Sequence, residues 1–357
     1  MKSFKIIIFF ALFFEVFIAN LSIAQLMNCD TPFNPENFKS INFDSVRATA
    51  GYNTAKTVRV VFHICRNDDG SNSAATEAYL EGELAKVRNE YQPWNICFAL
   101  VGFTYINNTT LNTLMNSSNS THRSNLFAND WSNVLNIYCH QELRNDNGTG
   151  LIGTAYDIPN THLSLDIPEN FDGVLSHEIG HCLGLFHTFE TYFGNELVNG
   201  SNCSTAGDLI CDTPADPNGN FNSSTCVYTG TTRDANNQLY SPSIHNLMSY
   251  YFYCMTEFTP NQRTRMYDTI AGIPAIANMT MGTAIVNASN QNYTSGNWYW
   301  TARNTLNVGN ISSAGDFNSS GSADLYLTSN QIRLKPGFHA YPNSNGKVRV
   351  LTYGCQF

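Results

Sequence analysis

Along the chain the spacing of apolar residues changes period several times, and each change marks an element. Val58, Val60, Val61, Phe62 and Ile64 form a β-branched and aromatic run that predicts a strand. Over 74–91, Tyr79, Leu80, Leu84, Val87 and Tyr91 recur at three- and four-residue intervals and predict a helix with one apolar face. Ile96–Tyr105 and Val134–Cys139 read as further strands. In Thr161–Ile167, Leu163, Leu165 and Ile167 alternate with Ser164 and Asp166. That pattern predicts an edge strand lining a cleft, where an extended peptide adds as one more strand. Thr259-Pro260-Asn261-Gln262 combines an N-cap, a first-turn proline and a capping-box glutamine, so a helix is expected to run to about Ile270. Arg263 and Arg265 on it are expected in solvent. The order strand, helix, strand, strand predicts an α+β domain with a twisted mixed sheet. From about Ala284 the chain turns to Asn, Ser, Gly and Thr with short alternating runs at Ala323–Thr328, Gln331–Leu334 and Lys347–Leu351, which predicts a small all-β C-terminal module.

The amino terminus alters this picture. Lys2 and Lys5 precede an apolar run from Ile6 to Phe14, and Ser22-Ile23-Ala24 offers small residues at a cleavage position, so residues 1–24 are expected to be a signal peptide. Glu15 interrupts the apolar run, and no later segment is long and apolar enough to span a membrane. Residues 25–57 are then a short prosegment or extension, 58–275 the catalytic domain and 284–357 the C-terminal module. The formal charge of −9, one unit more negative once Lys2, Lys5 and Glu15 are gone, argues against nucleic acid as a partner. Charged residues make up only 13%, which predicts a polar but weakly charged surface. Ten cysteines behind an export signal predict disulfides in a secreted, extracellular protein.

The chemistry is concentrated in His177-Glu178-Ile179-Gly180-His181-Cys182-Leu183-Gly184-Leu185-Phe186-His187. On a helix, His177 and His181 share one face and can reach one zinc ion, with Glu178 beside them towards a bound water. Gly184 ends the helix in a left-handed turn and brings His187 round as a third ligand, leaving the fourth position open. A structural zinc site fills all four positions with protein ligands, whereas three histidines beside a carboxylate suit hydrolysis.

This long motif resembles that of the metzincin clan of metallopeptidases. Within the clan the chain resembles the pappalysin family, through His187-Thr188-Phe189, Gly207-Asp208, Asp212-Thr213-Pro214 and the turn Asn246-Leu247-Met248-Ser249-Tyr250, over about Phe171 to Met266. The resemblance implies a zincin catalytic domain with a zinc helix packed on the sheet. Met248 is implied as the apolar floor beneath the histidines, and Tyr250 as a phenol near the metal that stabilises the oxyanion. It implies a secreted zinc endopeptidase acting on protein or peptide substrates, with Glu178 as general base. It further implies calcium at Asp208 and Thr213, with Asp212 nearby; alternatively Asp-Thr-Pro-Ala-Asp-Pro only makes turns. Pappalysin-like enzymes carry disulfides here, which favours Cys226 with Cys254 and leaves Cys211 as one partner for Cys203. Cys65, Cys97 and Cys139 read as buried thiols or neighbouring-strand bridges, and Cys182 as structural. Cys29 lies ahead of every regular element. Either it occupies the open zinc position and keeps a zymogen latent, as in several metzincin subfamilies, or it forms a disulfide.

The C-terminal segment Ile332–Ala340 weakly resembles β repeats appended to exported proteins of Bacteroidetes-type bacteria. It suits anchoring, sorting, or contact with a cell surface or glycan. Trp298, Tyr299 and Trp300 there form either a carbohydrate platform or core. The competing reading of the whole chain is a secreted adhesin or carbohydrate-binding protein with an inactive zincin domain, which the intact set of three histidines and glutamate disfavours.

Overall fold

The computed structural model describes residues 29–35, 54–168 and 172–355. The expected signal peptide and most of the 25–57 extension lie outside the described residues.

Strand β1 (Lys56–Arg66) lies inside the first sheet, and its run of β-branched residues is buried from both sides. Helix α1 (Glu77–Tyr91) starts where the Thr76 side chain accepts from the Tyr79 amide, and it buries Leu80, Leu84, Val87 and Tyr91. Strands β2 (Ile96–Asn107), β3 (Leu135–His140), β4 (Gly153–Ala155) and β5 (His162–Asp166) complete the sheet in the order β2-β1-β3-β5-β4. All pairs are parallel except β4 with β5, so the sheet is mixed. Helix α2 (Val174–Cys182) is entirely buried, and the Tyr91 hydroxyl donates to the Ser176 carbonyl at 2.8 Å to tie α1 to it. One continuous apolar core joins the sheet, α1, α2, the Leu247-Met248 turn and helix α3 (Pro260–Gly272).

The alternation in 161–167 does not mark an edge. β5 lies inside the sheet, and the edge is the three-residue strand β4. The polar positions of β5 are buried among polar partners, not wet: Ser164 Oγ sits 2.9 Å from His140 Nε2 and 2.7 Å from the Tyr156 hydroxyl, and Asp166 accepts from the Leu143 amide at 3.1 Å. A half-polar strand therefore belongs to the interior when the neighbouring strands supply hydrogen-bonding side chains.

Helix α3 carries the complete capping box of Thr259 and Gln262. Asp212 accepts from the Thr259 hydroxyl at 2.6 Å and the Asn261 amide at 2.9 Å, so its carboxylate serves the positive end of α3. Arg263 and Arg265 are not solvated as expected. Arg263 lies over the Tyr267 ring and donates to the Trp94 carbonyl at 3.1 Å, and Arg265 reaches the Leu209 carbonyl at 3.3 Å. Both side chains are half-buried, and each guanidinium satisfies a carbonyl that is itself partly buried.

The C-terminal region is all-β and wholly parallel. Strands β6 (Ile285–Ala288), β7 (Gln291–Val308) and β8 (Phe317–Leu334) lie side by side, and β8 pairs through Phe317–Gly321 with β9 (Phe338–Pro342) and through Asp324–Thr328 with β10 (Lys347–Leu351). It stands on β2 and α1: Thr328 donates to the Leu100 carbonyl at 2.7 Å, the Tyr326 hydroxyl accepts from the Phe103 amide at 3.2 Å, and Arg349 pairs with Glu77 and Glu81. A disulfide joins Cys97 to Cys355, a partner outside both readings made for Cys97. Cys65 and Cys139 are buried free thiols. Trp298, Tyr299 and Trp300 form no common platform. Trp298 stacks on Tyr293, Trp300 packs on Phe317, and Tyr299 points the opposite way to stack on Trp131, as the two-residue period of a strand requires.

Candidate active site

Gly184 sets the geometry. With φ at +90° it stops α2 in a Schellman turn, in which the Leu185 amide donates to the Gly180 carbonyl at 2.9 Å and the Gly184 amide to the His181 carbonyl at 2.9 Å. A Cβ at Gly184 would stand 2.3 Å from Thr269 Oγ1, so α3 closes the turn from outside. The reversal brings His187 back beside the helix. His181 Nε2 lies 3.1 Å from both His177 Nε2 and His187 Nε2.

These contacts are not hydrogen bonds. His177 Nδ1 sits 2.7 Å from the Leu247 carbonyl and His181 Nδ1 2.8 Å from the Leu185 carbonyl, so each Nδ1 carries the proton and each Nε2 presents a lone pair. Burial holds all three imidazoles below their usual range, His177 at about 4, and the neighbouring rings push His181 and His187 down further. Two buried lone pairs that converge with the half-buried Nε2 of His187 repel one another unless a cation stands between them. Three nitrogens about 2.0–2.1 Å from a tetrahedral zinc would stand about 3.3 Å apart, close to the spacing seen here. The donor set fits zinc.

The turn beneath the histidines is pinned by α3. Asn246 and Gln262 exchange amide hydrogen bonds at 3.0 Å in both directions, and Asn246 Oδ1 also accepts from the Met248 amide at 2.9 Å. The capping glutamine that starts α3 thus fixes the backbone whose Leu247 carbonyl orients His177 and whose Met248 carbonyl takes the Thr188 amide at 3.0 Å. Met248 is fully buried with its sulfur against Gly180, where an added Cβ would come within 2.4 Å of it. Tyr250 stands beside the histidines, its ring 4.9 Å from that of His187.

Glu178 is fully buried, and burial pushes its carboxyl up to about 8 against opposing hydrogen bonds from Cys29, Ala155 and Thr31. Cys29 lies in the site. Its Sγ and the three imidazole nitrogens all fall within 4.8 Å of one another, and Sγ donates to Glu178 Oε2 at 3.4 Å. It is a free thiol, so the alternative of a disulfide is not realised. Burial and the Glu178 carboxylate push that thiol well up. Its backbone bridges Gly153 of β4 in parallel, its amide donates to the Tyr250 hydroxyl at 3.0 Å, and that hydroxyl donates to the Cys29 carbonyl at 2.5 Å. Sequence reasoning missed Thr31, whose hydroxyl accepts from the Ala155 amide at 3.1 Å and donates towards Glu178 at 3.5 Å. A threonine in an irregular segment carries no sequence signal for that role.

Asp208 and Thr213 come together. The Thr213 hydroxyl lies 2.9 Å from Asp208 Oδ1, and both residues are buried. Asp208 Oδ2 and the Glu196 Oε2 are buried without a hydrogen-bond partner among the described residues. Burial raises both carboxyls, Glu196 to about 7, and Glu196 adds to the rise at Asp208. Glu196 was not recognised in the sequence because it lies in a loop with no spacing relation to Asp208. Cys203 pairs with Cys211 and Cys226 with Cys254, cross-linking the loops between α2 and α3.

Residues 120–271 match the peptidase M43 family model described as pregnancy-associated plasma protein-A. An extracellular metalloprotease of Colletotrichum graminicola is 32% identical over 228 residues, covering 59% of this chain and 75% of the relative. An extracellular metalloprotease of Neurospora crassa is 30% identical over 243 residues, covering 62% and 79%. One from Arthroderma gypseum is 26% identical over 246 residues, covering 65% and 76%. With a histidine cluster able to hold a metal and relatives matched over three quarters of their length, this chain belongs to the pappalysin family of metallopeptidases.

Proposed function

We propose that the protein is a secreted zinc endopeptidase, latent while Cys29 lies in its cleft. The observation that carries this reading is the convergence of three imidazole nitrogens, those of His177 and His181 buried and that of His187 half-buried, beside a buried glutamate. His177, His181 and His187 hold the zinc, which when bound polarises the scissile carbonyl and acidifies the attacking water. Glu178 takes a proton from that water and returns it to the departing amine; its raised affinity for protons suits both halves of the task. The Tyr250 phenol, which in this structure donates to the Cys29 peptide carbonyl, donates to the substrate carbonyl as charge builds there. The substrate backbone pairs with β4, where the Cys29 segment now lies. Residues 58–275 form the catalytic unit. Asp208 and Thr213, joined by Glu196, offer the oxygen donors that calcium prefers. Export is supported by the extracellular relatives and the three disulfides.

The test is digestion of a mixed peptide library by the full zinc-loaded chain carrying Cys29→Ser, beside the same chain carrying Glu178→Ala, read by mass spectrometry. Zinc-dependent cuts are expected from the first. In the second, turnover is expected to fall about 100- to 10,000-fold at unchanged zinc content. Undiminished cutting without Glu178 would falsify its role.

A further inference from the structure

We propose that the aromatic box now filled by Phe33 is a substrate subsite, which takes an aromatic side chain three or four residues from the bond that is cut. The proposal rests on the reading of the cleft given above. Phe33 meets Phe186 edge-on with ring centroids 4.8 Å apart, Tyr192 at 5.5 Å and Phe193 at 5.8 Å. Tyr192 and Phe193 also meet edge-to-face at 5.0 Å, and Ile158 and Leu209 complete the lining. Its walls are aromatic and aliphatic side chains. A ring meets three aromatic partners there, whereas an ionised side chain gives up hydration against an apolar wall.

The box belongs to the cleft and not to a remote surface. Its inner wall, Phe186, immediately precedes His187 and is fixed by the turn at Gly184. The segment leading to Phe33 bridges β4 at Gly153 and stays beside it: the Thr154 hydroxyl donates to the Asp30 carbonyl at 3.2 Å, the Ala155 amide to the Thr31 hydroxyl at 3.1 Å, and the Asn34 amide to the Asp157 carboxylate, just past β4, at 3.0 Å. With the Tyr250 phenol on the Cys29 carbonyl, residues 29–34 lie where an extended peptide has its backbone groups recognised. Phe33 follows four residues after Cys29, which fixes how far the box stands from the reacting centre. Its outer wall, Tyr192, is 58% exposed, so the box opens to solvent on that side. An aromatic pocket of this kind selects by shape and by exclusion of charge.

The first experiment gives the library to the full zinc-loaded chain carrying Cys29→Ser and Phe33→Ala. Phe, Tyr and Trp are expected about tenfold enriched over charged residues at one position three or four residues from the cut. Adding Tyr192→Ala and Phe193→Ala is expected to shrink that enrichment to about twofold. The second experiment adds Glu178→Gln to the Cys29→Ser, Phe33→Ala chain and measures, without turnover, its affinity for a peptide with the sequence of residues 28–35 and for the same peptide with alanine in place of Phe33. The alanine peptide is expected to bind about tenfold more weakly. Cuts with a flat profile at that distance, enrichment that survives the loop substitutions, or equal affinities overturn the subsite. Selective binding of the aromatic peptide with no cuts by any variant upholds the subsite and overturns the catalytic reading instead.

Discussion

At the scale of single residues, much of the site depends on atoms that must be absent or must stay uncharged. Gly184 lacks the Cβ that would meet Thr269, and its backbone lies where other residues are strained. Gly184→Ala is therefore expected to cost at least about 1–2 kcal/mol, lowering the melting temperature by roughly 2–8 °C and weakening zinc retention together. Equal zinc affinity in a destabilised variant would show that the turn does not deliver His187. Cys29 acts by presence: its thiol, amide and carbonyl contact Glu178 and Tyr250 at once. Cys29→Ser removes only the sulfur, and the unprocessed chain is expected to gain about tenfold in peptide cleavage as the cleft opens a larger fraction of the time. No gain would mean that the backbone contacts alone hold the segment.

At the scale of elements, legibility followed the range of the signal. The histidine motif, the Schellman turn and the capping box are each complete within a dozen residues, so their chemistry is written in local spacing. β4 has three residues and no alternation to read, and β5 alternates for a reason its own sequence cannot state, because its polar face is satisfied by His140 and Tyr156 from elsewhere. The Phe33 box and the Glu196–Asp208 approach likewise join segments with no fixed spacing. The polar layer through β1, β3 and β5 has a measurable signature. Burial lowers His63 and His140 to about 4, against about 6.5 in an unfolded chain. Above pH 6.5 both states hold these rings neutral. Between about 6.5 and 4 the unfolded chain binds protons that the folded chain does not, so stability falls on acidification by up to about 1.4 kcal/mol per pH unit for each ring. Below about 4 this loss is complete. Urea midpoints between pH 7 and 4.5 should fall less steeply for His140→Gln than for the wild type; parallel slopes would remove His140 from the account.

At the scale of the whole molecule, the C-terminal region is fastened to the far side of the first sheet from the cleft. β2 is the outer strand there, and the Cys97–Cys355 bond, the Thr328–Leu100 hydrogen bond and the Arg349 ion pairs hold the parallel stack against it and α1. The bridge closes a loop with a sequence separation of 258 residues, a pairing that no local pattern announces. Cys355→Ser is expected to cost about 2–5 kcal/mol, read as a lower urea midpoint for the non-reduced protein, while peptide cleavage under folded conditions changes little. An unchanged midpoint would make the bond incidental to stability.

That bond also decides where a mechanical load goes. A pull on the chain end beyond Cys355 passes through the covalent link to Cys97 and into the sheet that carries the histidines' helix, bypassing the ladder of parallel strands. If the protein is tethered through that end, tension leaves the stack unsheared as long as the bond stays oxidised, and a reducing environment shifts the whole load onto β10.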